Sequence, residues 1–109
     1  VGSNGHVAFN EPGSSPDSRT RRVHLASATR EAASARFGSL EAVPRAALTA
    51  GIATIREARV LRILAFGATK AEAVRAAVSG TCDPSRPVTL LTGHADARLH
   101  ADDAACEAL

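Results

Sequence analysis

The chain's 109 residues suffice for one domain, whose core must be aliphatic because there is no Trp, Tyr or Met and only three Phe, leaving Val, Leu, Ile and Ala to fill it. A formal charge of +2, with dispersed arginines and no aromatic platforms between them, argues against nucleic-acid binding, even at Arg19, Arg21 and Arg22. No apolar run reaches the roughly 20 residues that span a bilayer, and the opening residues do not read as a signal peptide, so no membrane partner and a cytoplasmic location are expected.

The chain starts Val-Gly-Ser-Asn, without an initiator Met, and runs directly into Asn4-Gly5-His6-Val7-Ala8-Phe9-Asn10-Glu11-Pro12-Gly13. A fragment of a longer protein is the expectation. The run repeats with neither a helix nor a strand period, so it reads as a glycine-bounded loop that places an imidazole beside a carboxylate. Turn residues follow over 13–17, and residues 22–25 then alternate as a short one-sided strand. Ser27 is the expected cap of a helix over 28–37, closed by Gly38 in the left-handed region. After Pro44, residues 46–50 read as a small-residue strand, Gly51 as a turn and 52–58 as a brief helix. Residues 60–66 are apolar except for Arg62, the pattern of a parallel strand covered on both faces.

Gly67 and Ala68 turn the chain out of that strand. Thr69 and Glu72 then have the spacing of a capping box for a helix whose apolar side is Ala73, Val74, Ala77 and Val78 and which Gly80 ends. A strand over 97–100 and a closing helix from about Asp102, with an acidic first turn suited to the positive helix end, complete the pattern. Strands alternating with helices predict an α/β fold with a parallel sheet and right-handed crossovers.

Two places carry candidate chemistry. His6 titrates near neutrality, at about 6.5 when unperturbed, so it can take up and return a proton in one turnover. Glu11 is its nearest partner in sequence: a carboxylate at one ring nitrogen fixes the tautomer and leaves the other nitrogen for substrate. The glycines, Gly5 among them, let backbone approach a ligand closely. A loop histidine bonded to a nearby carbonyl accounts equally for the bare spacing. Lys70, the only lysine, falls in the first turn of the helix after the 60–66 strand, where helix ends favour anions, so it is either a phosphate ligand or an exposed lysine. Arg36 by itself reads as a helix-surface charge. Cys82 and Cys106 are far apart and read as buried or idle thiols. His94 and His100 lack metal-ligand spacing.

The string Gly2 to Arg21, GSNGHVAFNEPGSSPDSRTR, closely resembles the signature of the glucosamine-6-phosphate deaminase, or amino-sugar phosphate isomerase, family. The sister 6-phosphogluconolactonases share the Gly-His core but do not usually continue as Ala-Phe-Asn-Glu-Pro. The likeness runs on through Arg36-Phe37, Val43-Pro44, the stretch AALTAGIATIREAR, the Gly67-Ala68-Thr69-Lys70-Ala71 turn and Asp102. It implies a three-layer α/β/α fold with a mainly parallel sheet, of which residues 1–109 are the C-terminal portion and the N-terminal half is absent. It implies conversion of an amino-sugar 6-phosphate to fructose 6-phosphate and ammonia, without metal or organic cofactor, in a full-length homo-oligomer. His6 would open the pyranose ring, Glu11 would support it, and Lys70 and Arg36 would bind the phosphate.

Three departures qualify the resemblance. Asn4 stands where many family members have the aspartate of an Asp-His-Glu relay, and an amide cannot supply that charge to an imidazolium. The run Thr89-Leu90-Leu91-Thr92-Gly93 replaces the family's more usual Ser-x-Leu-Gln. Ser14 and Arg21 match an effector site whose lysine position holds Val23, so regulation is not carried over. The family's carboxylate base and serine-glycine phosphate loop lie in the N-terminal half, so these residues alone are expected to be inactive. A sugar-phosphate lactonase, a noncatalytic sugar-phosphate sensor, and a piece without independent function that exposes an open sheet edge remain as alternatives.

Overall fold

The computed structural model describes residues 1–109. In chain order its elements are β1 (Arg21–His24), α1 (Ser27–Phe37), β2 (Ala46–Thr49), α2 (Ile52–Arg56), β3 (Leu61–Ala65), α3 (Ala71–Val78) and β4 (Ala97–Ala101). Short 3-10 turns lie at Ala68–Lys70, Pro87–Leu91 and Ala104–Cys106. None of the helices is long and apolar enough to cross a membrane.

The apolar 60–66 stretch forms β3, which pairs in parallel with β4, Leu61 opposite Ala97 and Ala65 opposite Ala101. The connection between them carries α3, the helix-bearing crossover that parallel neighbours require. Cover on both faces of β3 is not found: Leu61 and Ala65 are buried, while Leu64 is 54% exposed. One face therefore packs into this chain and the other is open.

β1 and β2 form a separate antiparallel pair, Arg21 opposite Thr49 and His24 opposite Ala46. The chain is thus α/β with one parallel and one antiparallel pair. The returning loop is pinned before β2 starts, because Arg30 on α1 donates Nη2 to the Leu40 and Val43 carbonyls at 2.9 and 3.3 Å. Leu25 then donates its N–H to Arg45 at 3.0 Å, extending the antiparallel ladder.

α1 ends as expected at Gly38, whose φ of 86° is the left-handed value a Cβ disfavours. Its N-cap is Ala26 rather than Ser27, and the Ala26 N–H is taken by the Glu11 carboxylate at 3.2 Å. No residue of α1 is buried. The Thr69–Glu72 capping box does not form: the 3-10 turn at Ala68–Lys70 leads into α3 without a side-chain cap, and Glu72 instead accepts from Arg75 at 2.8 Å. The closing helix is only the 3-10 turn Ala104–Cys106. Asp102 serves as a clamp there, accepting the N–H of Gly67 and of Ala105 at 2.9 Å each. Those N–H groups hold its carboxyl below the usual carboxylate range.

Ile52, Leu61, Leu90 and Leu91 form one core cluster, flanked by Val7, Ile55, Ile63 and Ala97; Ala65, Val74 and Ala105 form a second. Each fully buried Val, Leu or Ile stabilises the fold by about 1.5–3 kcal/mol. Half of the first cluster comes from the Pro87–Leu91 turn, all five of whose residues are buried. Val88 of that turn donates its N–H to the Gly5 carbonyl at 2.9 Å, which ties the core to the loop that carries His6.

Candidate active site

The loop from Asn4 to Gly13 is held from below by Asn10, which is fully buried. Its Nδ2 donates to the Val7 and Ala50 carbonyls at 2.9 and 2.8 Å, and its Oδ1 accepts from Arg21 Nη1 at 2.9 Å. Every polar atom of the side chain is satisfied, so its burial is stabilising rather than costly. Phe9 N–H adds a bond to Thr49 Oγ1 at 3.1 Å. The loop is therefore fastened to β2 and β1 on one side and to the Pro87–Leu91 turn on the other.

On this base His6, Asn4 and Glu11 form a mutually contacting cluster. His6 Nδ1 lies 2.8 Å from Asn4 Oδ1, and Asn4 Nδ2 donates to Glu11 Oε2 at 3.0 Å. Glu11 Oε2 is 3.7 Å from His6 Nδ1, with only 21% of the His6 side chain and 13% of the Glu11 side chain exposed. The sequence pairs Glu11 directly with His6. The structure keeps that pair within ion-pair reach and adds the Asn4 amide as a bridge between the two, with Glu11 anchored at its other oxygen by the Ala26 N–H at the start of α1. Burial pulls the imidazole below its ordinary value of 6.5; Glu11 opposes this, while Lys70 adds to it. The downward shift favours the neutral imidazole, the form that can accept a proton.

A cleft of about 400 Å³ opens over His6, and Asn4, Thr29, Ala33, Arg36 and Lys70 also line it. Arg36 comes from the last turn of α1 and Lys70 from the turn that precedes α3. Residues 6, 36 and 70, distant in sequence, thus share one concave site with two cations and one neutral base. Glu11 stands behind it, on the wall of a neighbouring cleft with Ser14 and Arg21.

Gly5 is placed differently from expectation. It does not line the cleft; with φ +82°, it turns its vacant side toward Arg86, whose Cα a Cβ would meet at 3.3 Å. The glycine that makes room at the site is Gly2, where a Cβ would lie 2.1 Å from His6 Cε1. Thr29 also escapes the sequence reading, although its Oγ1 is 3.4 Å from His6 Nδ1. The signal for it is helical spacing: residues 29, 33 and 36 fall on one face of α1. Nowhere do three or more His, Cys, Asp or Glu side chains converge as a metal site requires.

No family model matches the chain. The glucosamine-6-phosphate deaminase of Rhodopirellula baltica is 48% identical over 109 residues, all of this chain and 43% of that protein. Glucosamine-6-phosphate deaminase 1 of Giardia intestinalis is 47% identical over 103 residues, 94% of this chain and 39% of its own length. Among solved structures, a monomeric glucosamine-6-phosphate deaminase, described as a missing link of the NagB superfamily, superposes with a TM-score of 0.96 at 40% identity, covering all of this chain and 45% of that one. The chain thus spans less than half the length of the relatives it matches, and over that span it matches the C-terminal part of glucosamine-6-phosphate deaminases.

Proposed function

We propose that residues 1–109 are the C-terminal portion of a single sugar-phosphate isomerase/deaminase domain, and that the full-length protein converts an amino-sugar 6-phosphate to fructose 6-phosphate and ammonia. The observation that carries this reading is the shared cleft, with the His6 imidazole at one place and Arg36 and Lys70 at another. A sugar phosphate has a matching pair of features, a ring whose opening needs proton transfer and a dianionic tail. Arg36 and Lys70 grip the tail through charge-assisted hydrogen bonds. His6 takes the anomeric hydroxyl proton and returns it to the ring oxygen, a role worth about 10²–10⁴ in rate. A carboxylate base supplied by the N-terminal half then moves a proton from the second carbon to the first through an enolamine, and water adds to the resulting imine at the second carbon, whose C–N bond breaks to release ammonia and leave the ketone. Holding the phosphate orients those carbons, and well-placed orientation supplies up to about 7–11 kcal/mol. No step in this scheme calls on a metal or organic cofactor, and the reaction is placed in the cytoplasm, in amino-sugar catabolism.

The lactonase alternative is not favoured, since the similar proteins bear deaminase names. The sensor reading predicts tight sugar-phosphate binding with no ammonia released. An ammonia-release assay on the full-length protein with glucosamine 6-phosphate and galactosamine 6-phosphate separates these readings and identifies the epimer. His6→Ala is expected to lower kcat by about 10²-fold or more; an unchanged kcat removes His6 from ring opening. Lys70→Ala is expected mainly to raise KM, and an unchanged KM removes it from phosphate binding. The assembly implied by the resemblance is a homo-oligomer, whereas the solved relative is monomeric; sedimentation of the full-length protein decides between the two.

A further inference from the structure

We infer that Asp102 is a positioning residue for the phosphate grip: its carboxylate, at the exit of β4, holds the Gly67 turn that carries Lys70 into the cleft. This rests on the proposed phosphate role of Lys70 and names what sets its place. β3 and β4 are parallel neighbours with Ala65 opposite Ala101, so the chain leaves both strands at the same end of the sheet. There the Gly67 N–H reaches across to Asp102, 2.9 Å from Oδ1 and 3.1 Å from Oδ2. Gly67 has φ 88° and ψ 153°, a conformation essentially confined to glycine, and its N–H finds no backbone acceptor. The Asp102 carboxylate is the acceptor that this turn otherwise lacks.

Gly67 passes that hold on to Lys70. Its carbonyl accepts the Lys70 N–H at 2.9 Å, closing the Ala68–Lys70 turn, so two hydrogen bonds on one residue join Asp102 to the Lys70 backbone. Lys70 enters no ion pair in the chain, and the course of the turn sets how its ammonium reaches the cleft it shares with Arg36. Asp102 is fixed in its own right. Its Oδ1 also accepts the Ala105 N–H at 2.9 Å, and its carbonyl accepts from Ala105 and Cys106 at 3.1 Å each. Ala105 is fully buried in the cluster with Ala65 and Val74, so the hold on the turn starts from the core. Asp102 does not line the cleft, and it acts only through the turn. A phosphate that meets a turn already held in place does not bear the cost of ordering it, which is how a residue outside the cleft bears on affinity.

The test is a double-mutant cycle on the full-length protein, read by turnover of glucosamine 6-phosphate and by hydrogen exchange of residues 66–71. Asp102→Ser keeps a side-chain oxygen that can cap the Ala104–Cys106 turn but is one atom too short to reach Gly67, so it separates the hold on the Lys70 turn from local capping. It is expected to speed exchange over 66–71 and to raise KM about tenfold, the scale of one hydrogen bond to a charged group, with kcat little changed. Asp102→Asn keeps an oxygen in the same place without the charge; its KM is expected to rise about threefold, since an ionised acceptor is roughly twice as strong as a neutral one. In a Lys70→Ala background Asp102→Ser is expected to add nothing to KM, because the residue through which Asp102 acts is gone. Unchanged exchange over 66–71 in Asp102→Ser overturns the inference, and so does a full tenfold rise on top of Lys70→Ala, which general loosening of the fold would give. Should Asp102→Ser fail to fold, Asp102→Asn decides by the same readouts. The two readings fail separately: Lys70→Ala at wild-type KM overturns the phosphate role of Lys70, whereas a raised KM in Lys70→Ala with wild-type KM in Asp102→Ser overturns the role of Asp102.

Discussion

Gly2→Ala is the smallest change that tests whether the place of His6 matters. The added Cβ would meet His6 Cε1 at 2.1 Å, Nδ1 at 2.2 Å and Nε2 at 2.6 Å, where ordinary contact begins at 3.4 Å. Clearing Cε1 alone takes 3.4 − 2.1 = 1.3 Å of movement. The backbone cannot supply it cheaply, because Gly2 donates to the His6 carbonyl at 3.0 Å and accepts from the Gly5 N–H at 2.9 Å. The imidazole must therefore swing, breaking its 2.8 Å contact with Asn4. A displacement of about 1 Å at a reacting group costs roughly 10²-fold in rate, and that is the expected fall in kcat in the ammonia-release assay of the full-length protein. Arg36 and Lys70, the proposed phosphate ligands, lie elsewhere in the cleft, so KM should change much less. Thermal unfolding run in parallel should show the variant folded, since Gly2 does not need a positive φ. A folded Gly2→Ala enzyme with wild-type kcat would refute the reasoning, because His6 would then be working from a position the structure does not show.

Other expectations follow from the same contacts. The His6 pKa is lowered on folding, so below its unfolded value of about 6.5 the unfolded state binds more protons and stability falls as the pH drops through the folded value; denaturant midpoints across mildly acidic to neutral pH should show this slope, and His6→Asn should flatten it. The acid limb of kcat against pH should likewise lie below 6.5, and a limb above it would contradict the burial of the ring. Asn10→Leu removes three hydrogen bonds, to the Val7 and Ala50 carbonyls and from Arg21, while each of those groups keeps another partner; at about 0.5–1.5 kcal/mol for each bond lost, a loss of roughly 1.5–4.5 kcal/mol is expected by urea unfolding. Arg36→Ala should raise KM for the sugar phosphate with a smaller change in kcat, and combined with Lys70→Ala the two effects should fall short of additive if both grip one phosphate.

Local signals carried much of the fold. Gly38 ends α1 as its left-handed geometry demands, and the apolar 60–66 run became β3. The pairing of β1 with β2 was not legible, because it joins residues more than twenty positions apart that no local pattern links. The Pro87–Leu91 turn was missed because five consecutive buried residues have no period to read. Thr69 and Glu72 have capping-box spacing, but Arg75 takes the Glu72 carboxylate; Asp102, read as a helix start, does open a helical turn, but only the short Ala104–Cys106 one, while it also holds the Gly67 N–H. At the site, Asn4, His6 and Glu11 are close in sequence and were found together, and Lys70 was marked by its place after a strand. Arg36 needed the family resemblance, since a helix-surface arginine looks the same wherever it points. Gly5 was singled out by its place beside His6, yet the chain turns Gly5 away and sets Gly2 against the ring.

The account stands on one cleft that holds both ends of an amino-sugar phosphate. A crystal structure of the full-length protein with an unreactive amino-sugar 6-phosphate analogue tests that most directly. The prediction is a phosphate bonded to Arg36 and Lys70 and a ring oxygen or anomeric hydroxyl within hydrogen-bond reach of His6 Nε2. An analogue bound with its phosphate away from those two cations, or with its ring out of reach of His6, would contradict it.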